Sequence, residues 1–186
     1  ELIKERLERM GSAIRHRGPD SHGVWVDEEH GVGLGHRRLA IQDLSPKGHQ
    51  PMVSRNLRFY ITFNGEIYNF LSIRKEIESK GYKFQGYSDT EVLLEAISTW
   101  GLTHTLNKLQ GMFAFALWDR QENTLTLCRD RLGEKPLYYG WVNDEFLFAS
   151  ELGAIGSLDL KLEIDRNALA DYFYYGYVPA PQSIYQ

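Results

Sequence analysis

Apolar positions along the 186-residue chain fall into two alternating periods. Leu2, Leu7, Met10 and Ile14 recur at helical spacing, so residues 2–14 read as an amphipathic helix. Gly18-Pro19-Asp20 breaks the pattern and opens a loop. Val24–Val26 and Val32–Leu39 read as strands, residues 44–51 as loop. Leu57–Phe63, β-branched and aromatic, reads as a strand that runs into the tight-turn dipeptide Asn64-Gly65. Residues 69–80 read as a helix with Phe70, Ile73 and Ile77 on one face and Gly81 as its C-cap. Ser88-Asp89-Thr90-Glu91 is a helix-start signal ahead of Val92, Leu93, Ala96, Ile97 and Trp100, and Gly101 ends that helix. Met112–Trp118 is nearly unbroken in its apolarity, the mark of a strand buried on both faces. Strands at Leu125–Arg129, Leu137–Trp141 and Phe146–Ala149 follow, the last two around Asn143-Asp144, and residues 166–175 read as a closing helix. Strands and helices come in blocks, which predicts an α+β fold with antiparallel sheets in a layered sandwich.

Composition narrows the class. Hydrophobic residues make up 42% and charged residues 25%, the balance of a globular protein rather than a disordered chain. Lys and Arg number 21 against 25 Asp and Glu, and the net charge of -4 argues against nucleic-acid binding. No apolar run approaches the roughly 20 residues of a membrane span, so no membrane partner is expected. A single cysteine, Cys128, allows no internal disulfide and points to the cytoplasm. It lies mid-strand in TLTLCRD and reads as an ordinary strand residue rather than a nucleophile. The six histidines lack metal-ligand spacing, so no metal is expected. GVGLGH (31–36) loosely matches a phosphate-cradling loop, but His36 stands where the third glycine belongs. A strand needing close backbone approach is the plainer reading.

Four stretches carry more chemistry: RHRGPD (15–20), HRRLAIQD (36–43), FNGEIYN (63–69) and SDTE (88–91). Each alone could be turn chemistry or surface charge. Together they hold the parts of an amino-acid site: an arginine fork for an α-carboxylate, two acids for an α-ammonium group, and an Asn amide beside a glycine N–H for an oxyanion.

These stretches, with GHQPM, LQGMFAFALWD and RDRLGEKPLYY in the same order, resemble the glutaminase domain of glutamine-dependent asparagine synthetases, a class II glutamine amidotransferase of the N-terminal-nucleophile hydrolase type. The resemblance implies an αββα four-layer sandwich of two antiparallel sheets between helices. It implies hydrolysis of glutamine by a cysteine at the mature N-terminus, with its own amine as base. It places Arg38 on the glutamine α-carboxylate, Leu39, Ala40, Ile41 and Gln42 along the pocket, Asn64 and Gly65 in the oxyanion hole, Glu66 and Asp89 on the α-ammonium, and Arg17 in support. The family opens with a Cys-Gly-Ile-type strand, whereas this chain opens on Glu1. The nucleophile is therefore expected upstream, and the chain as given is expected to be inactive. Residues 1–157 read as the amidotransferase domain and 158–186 as the start of a linker into an ATP-dependent synthetase domain of the same polypeptide. ATP and Mg are expected there and no cofactor in this domain, and the resemblance leaves room for a homodimer. Alternatives are a related amidotransferase with another carboxylate or a sugar as acceptor, and a non-catalytic glutamine-binding module.

Overall fold

The computed structural model describes residues 1–41, 43 and 45–186. The first apolar stripe forms helix α1 (Leu2–Ala13). Strands β1 (Ser21–Asp27) and β2 (Val32–Arg38) pair as an antiparallel hairpin from Ser21↔Arg38 to Asp27↔Val32. Strands β3 (Met52–Val53), β4 (Phe59–Ile67), β5 (Gly111–Asp119) and β6 (Thr124–Arg129) form a four-stranded antiparallel sheet in that order. A second hairpin joins β7 (Tyr138–Val142) and β8 (Glu145–Ala149) through Asn143 and Asp144, both at positive φ, as a tight hairpin turn requires. The remaining helices are α2 (Phe70–Glu78), α3 (Asp89–Trp100), α4 (Leu102–Lys108), α5 (Leu152–Gly156) and α6 (Arg166–Tyr175).

The period-2 pattern of β5 builds the interior. Phe113, Phe115 and Leu117 join Ile61, Phe63 and Ile67 of β4 in a core against Ile73, Ile77, Val92, Leu93 and Ile97 of α2 and α3. Ala116 and Trp118 face the other way and pack on Leu34 of β2, with Trp25, Tyr60 and Phe148 around them. Each fully buried side chain of this size contributes about 1.5–3 kcal/mol, so the doubly buried β5 is the stem of the fold. On the outside of the β1–β2 hairpin, Ile3 and Leu7 of α1 press on Gly33, where a Cβ would clash with them. The glycine run of residues 31–35 therefore admits a helix rather than a phosphate. With α5 against α1 and β8, the order is helices, hairpins, four-stranded sheet, helices: the αββα sandwich expected from the sequence. Among the described residues, the layer beneath α1 consists of two separate hairpins rather than one continuous sheet.

One local reading is corrected. Asn64-Gly65 is not a turn: β4 continues through it, with Asn64 opposite Ala114 and Gly65 opposite Phe113. The long partner β5 overrides the dipeptide's turn preference. Gly101 does stop α3, at φ +79, but α4 begins on the next residue. No helix among the described residues is long and apolar enough to cross a membrane.

Candidate functional site

The end of β2, the middle of β4 and the first turn of α3 meet around a cleft of about 400 Å³. Arg17, Arg38, Leu39, Ala40, Ile41, Asn64, Gly65, Glu66 and Asp89 all line it. Of the sequence-derived candidates only Gln42 is left over, and it lies outside the described residues.

Arg38 ends β2, and its guanidinium donates to the carbonyls of Asp43 and, at 3.0 Å, Ser45. Three of its five N–H donors have no partner among the described residues. Gly48 packs so closely on this guanidinium that a Cβ there would collide with it. Buried Asp43 accepts from the N–H groups of Ser45 (2.8 Å) and Tyr87 (2.9 Å), joining this loop to the approach to α3. Hydrogen bonds from Ser45 and Tyr87 hold its carboxyl below the usual Asp value.

Asn64 presents a carboxamide Nδ2 that is sealed from solvent and has no hydrogen-bond partner among the described residues. An unpaired buried donor costs about 1–3 kcal/mol, which marks this atom as awaiting an acceptor. Gly65 lies so close to β5 that an added Cβ would sit 2.7 Å from Phe113 Cα.

Asp89 is the first residue of α3, whose N-cap Ser88 accepts from the Glu91 N–H at 3.1 Å. Its buried carboxylate accepts from the Ile67 N–H at 3.0 Å. Burial pushes its carboxyl above the usual Asp value despite that bond, and the charge of Glu66 adds to the rise. Between the unfolded and the raised native pKa the native state holds more protons, so stability falls as pH rises through that window. The charged form is then a burden at neutral pH. Asp89→Asn, which keeps an acceptor for Ile67, is expected to raise Tm at pH 7 and to lose that gain when the pH is lowered below the ordinary carboxylate range. A Tm at pH 7 below wild type would contradict this.

Two expectations are modified. Arg17 lines the cleft, but its guanidinium is engaged by Glu151 at 2.9 Å, a carboxylate also approached by His16. The backbone of residues 39–41 is not uniformly free: the Ala40 N–H donates to Asp20 Oδ2 at 2.8 Å, and Leu39 and Ile41 expose 55% and 64% of their surface, so they form the rim. Cys128 is not among the residues that line the cleft. It packs on the helix-side core of β6, where burial raises its thiol pKa. The one candidate ion cluster among the described residues, Asp27, Glu29 and His30, lies at the far end of the β1–β2 hairpin, with Asp27 already facing His30 and Arg120.

Sequence reasoning missed two side chains. Buried Gln50 accepts from the Phe63 N–H at 2.7 Å, donates to the Phe63 carbonyl at 3.2 Å and reaches Thr90 Oγ1 at 3.3 Å. It thus ties the residue before Asn64 to the residue after Asp89. His36 also donates toward the Phe63 carbonyl. The only hint of either was its place inside GHQPM and HRRLAIQD.

A family profile described as a glutamine amidotransferase domain matches residues 2–186. Glutamine-hydrolyzing asparagine synthetase 1 of Bacillus subtilis is 42% identical over 97% of this chain and 28% of its own length. The putative glutamine-hydrolyzing asparagine synthetase 2 of Methanocaldococcus jannaschii is 38% identical over 100% of this chain and 39% of its own. The chain therefore spans well under half the length of these relatives. Its fold is similar to that of the solved glutamine phosphoribosylpyrophosphate amidotransferase from B. subtilis, with a TM-score of 0.71 and 23% identity over 86% of this chain and 42% of that one.

Proposed function

The chain belongs to the glutamine amidotransferase domain family, and from there we propose that its cleft takes L-glutamine and forms the ammonia-releasing half of an asparagine synthetase. The observation that carries this reading is the meeting of Arg38, the Asn64-Gly65 pair and the acids Glu66 and Asp89 on one cleft, with the Asn64 donor unmatched among the described residues. The N–H groups of Arg38 that have no partner among the described residues suit an α-carboxylate. Glu66 and Asp89 suit the α-ammonium. That leaves the side-chain carbonyl to Asn64 Nδ2 and the Gly65 backbone.

The nucleophile of this scheme is a cysteine at the mature N-terminus, which is not one of these 186 residues. Its sulfur adds to the amide carbon, and negative charge gathers on the carbonyl oxygen. Asn64 and Gly65 hold that charge with donors already in place, so little reorganisation is needed. The C–N bond then breaks and the nitrogen leaves as ammonia with a proton from the N-terminal amine. Water cleaves the remaining glutamyl thioester to glutamate and restores the thiol.

We assign residues 1–157 to this domain and 158–186 to the start of a link to a synthetase domain in which ATP and Mg²⁺ would act on aspartate. Support comes from α6 and its exit, where Tyr172, Phe173, Tyr174, Tyr175 and Tyr177 stand exposed. At Gly33 the glycine run of β2 is covered by Ile3 and Leu7 of α1 rather than open to a phosphate, and no step above uses a nucleotide.

The test is ammonia release. A protein carrying its own N-terminal cysteine ahead of Glu1 is expected to turn L-glutamine into equal amounts of glutamate and ammonia, and Cys→Ala at that position to stop it. Full activity in the Cys→Ala protein would discard the mechanism. Asp89→Asn in the same protein is expected to weaken glutamine roughly 10- to 100-fold, the worth of a charge-assisted hydrogen bond.

A further inference from the structure

One acceptor in the cleft has no task in this scheme. His36 lies two residues before Arg38 on β2, so the two side chains share the face of the strand that Leu34 buries between the β layers. Its Nε2 is 3.2 Å from the Phe63 carbonyl. A carbonyl only accepts, so Nε2 carries the proton and Nδ1 keeps its lone pair. That carbonyl is itself fixed, because Gln50 donates to it and accepts from the N–H of the same residue. Burial, aided by the neighbouring guanidinium of Arg38, pulls the ring's pKa down to about 4, so the ring is neutral at pH 7. Nδ1 is sealed from solvent and has no partner among the described residues.

Two residues that line the cleft and flank or grip Phe63 thus carry a buried donor, Asn64 Nδ2, and a buried acceptor, His36 Nδ1, each without a partner among the described residues. A primary amide is the complement: its oxygen accepts and its nitrogen donates. A carboxylate is not, because its second oxygen would face the imidazole lone pair. We infer that His36 is the specificity-determining residue of the cleft: its Nδ1 accepts a hydrogen bond from the side-chain NH₂ of glutamine and so turns away the carboxylate of glutamate. This rests on the glutaminase reading above. Its use is product clearance, since hydrolysis exchanges the matched group for the mismatched one. A site built around a substrate N–H discriminates more sharply than one built on shape, because the wrong ligand leaves the site's own polar group unpaired.

Glutamine and glutamate share their α-amino and α-carboxylate groups, so their affinity ratio reports the side-chain end alone. Calorimetric titration of the 186-residue chain with each is expected to favour glutamine. His36→Leu should bind glutamine about tenfold more weakly, the worth of one neutral hydrogen bond, with glutamate unchanged or tighter. His36→Gln, which keeps a donor and an acceptor, should restore most of the ratio. A folded His36→Leu chain with the wild-type ratio, or with both ligands weakened equally, overturns the inference and leaves the glutaminase reading intact. Wild-type chain that binds neither ligand removes that reading and this inference with it. Should His36→Leu fail to fold, ¹⁵N NMR of the wild-type imidazole decides: the Nδ1 resonance moves on adding glutamine and not glutamate, and a resonance that stays put under saturating glutamine overturns the assignment.

Discussion

Alanine at Gly65 will destabilise the domain by about 3 kcal/mol or more, the upper end for overpacking into a rigid wall. The obstacle is space rather than conformation. A methyl there would sit 2.7 Å from Phe113 Cα and closer still to the Met112 carbonyl, both backbone atoms of β5. Side chains can swing aside, but these atoms are fixed by the ladder running from Phe59↔Asp119 to Ile67↔Gly111. Relief therefore means prising apart the two strands that carry the core on one face and the hairpin layer on the other. Gly140 is the internal control. It lies in β7 with nothing within 4 Å of an added Cβ, so alanine there should change stability by no more than about 0.5 kcal/mol. Urea unfolding of both variants makes the comparison. Equal, small effects would mean that β4 and β5 do not approach as closely as described.

The second large effect concerns rate rather than stability. In a protein supplied with the N-terminal cysteine, Asn64→Ala is expected to slow ammonia release by about 10²- to 10³-fold, the loss seen when one oxyanion donor is removed. Its Michaelis constant should move far less, because the donor serves the charge that develops during attack. Folding stability should hardly fall, since the deleted amide nitrogen has no partner among the described residues to lose. A loss of rate accompanied by a matching loss of stability would point to a scaffold role. A rate within a few-fold of wild type would remove Asn64 from the mechanism.

The long elements were legible in the chain because their periodicity is strong. The unbroken run of β5, the stripe of α1 and the Ser88 cap of α3 each appear where the pattern put them. The short pieces β3, α4 and α5 carry too few residues to show a period. Asn64-Gly65 misled because turn propensity is local, whereas the nine-residue pairing with β5 is not. The clustering of candidate residues was implied by the family resemblance that the ordered motifs carry, but their occupancy was not. Arg17 meets Glu151 across 134 positions of sequence, and Gln50 reaches Thr90 across 40. No spacing rule spans such gaps. No sequence pattern gave His36 or Gln50 a role in the site; the Phe63 carbonyl is their shared anchor.

Gln50 has a mechanical consequence. One buried amide grips the backbone at Phe63 and the hydroxyl of Thr90 together, so Asn64 and Asp89 cannot drift apart as two independently breathing loops would. The gap between them behaves as a caliper with its jaws locked. With glutamine held as proposed, a guest shorter by a single methylene, asparagine for instance, is expected to reach one jaw and miss the other.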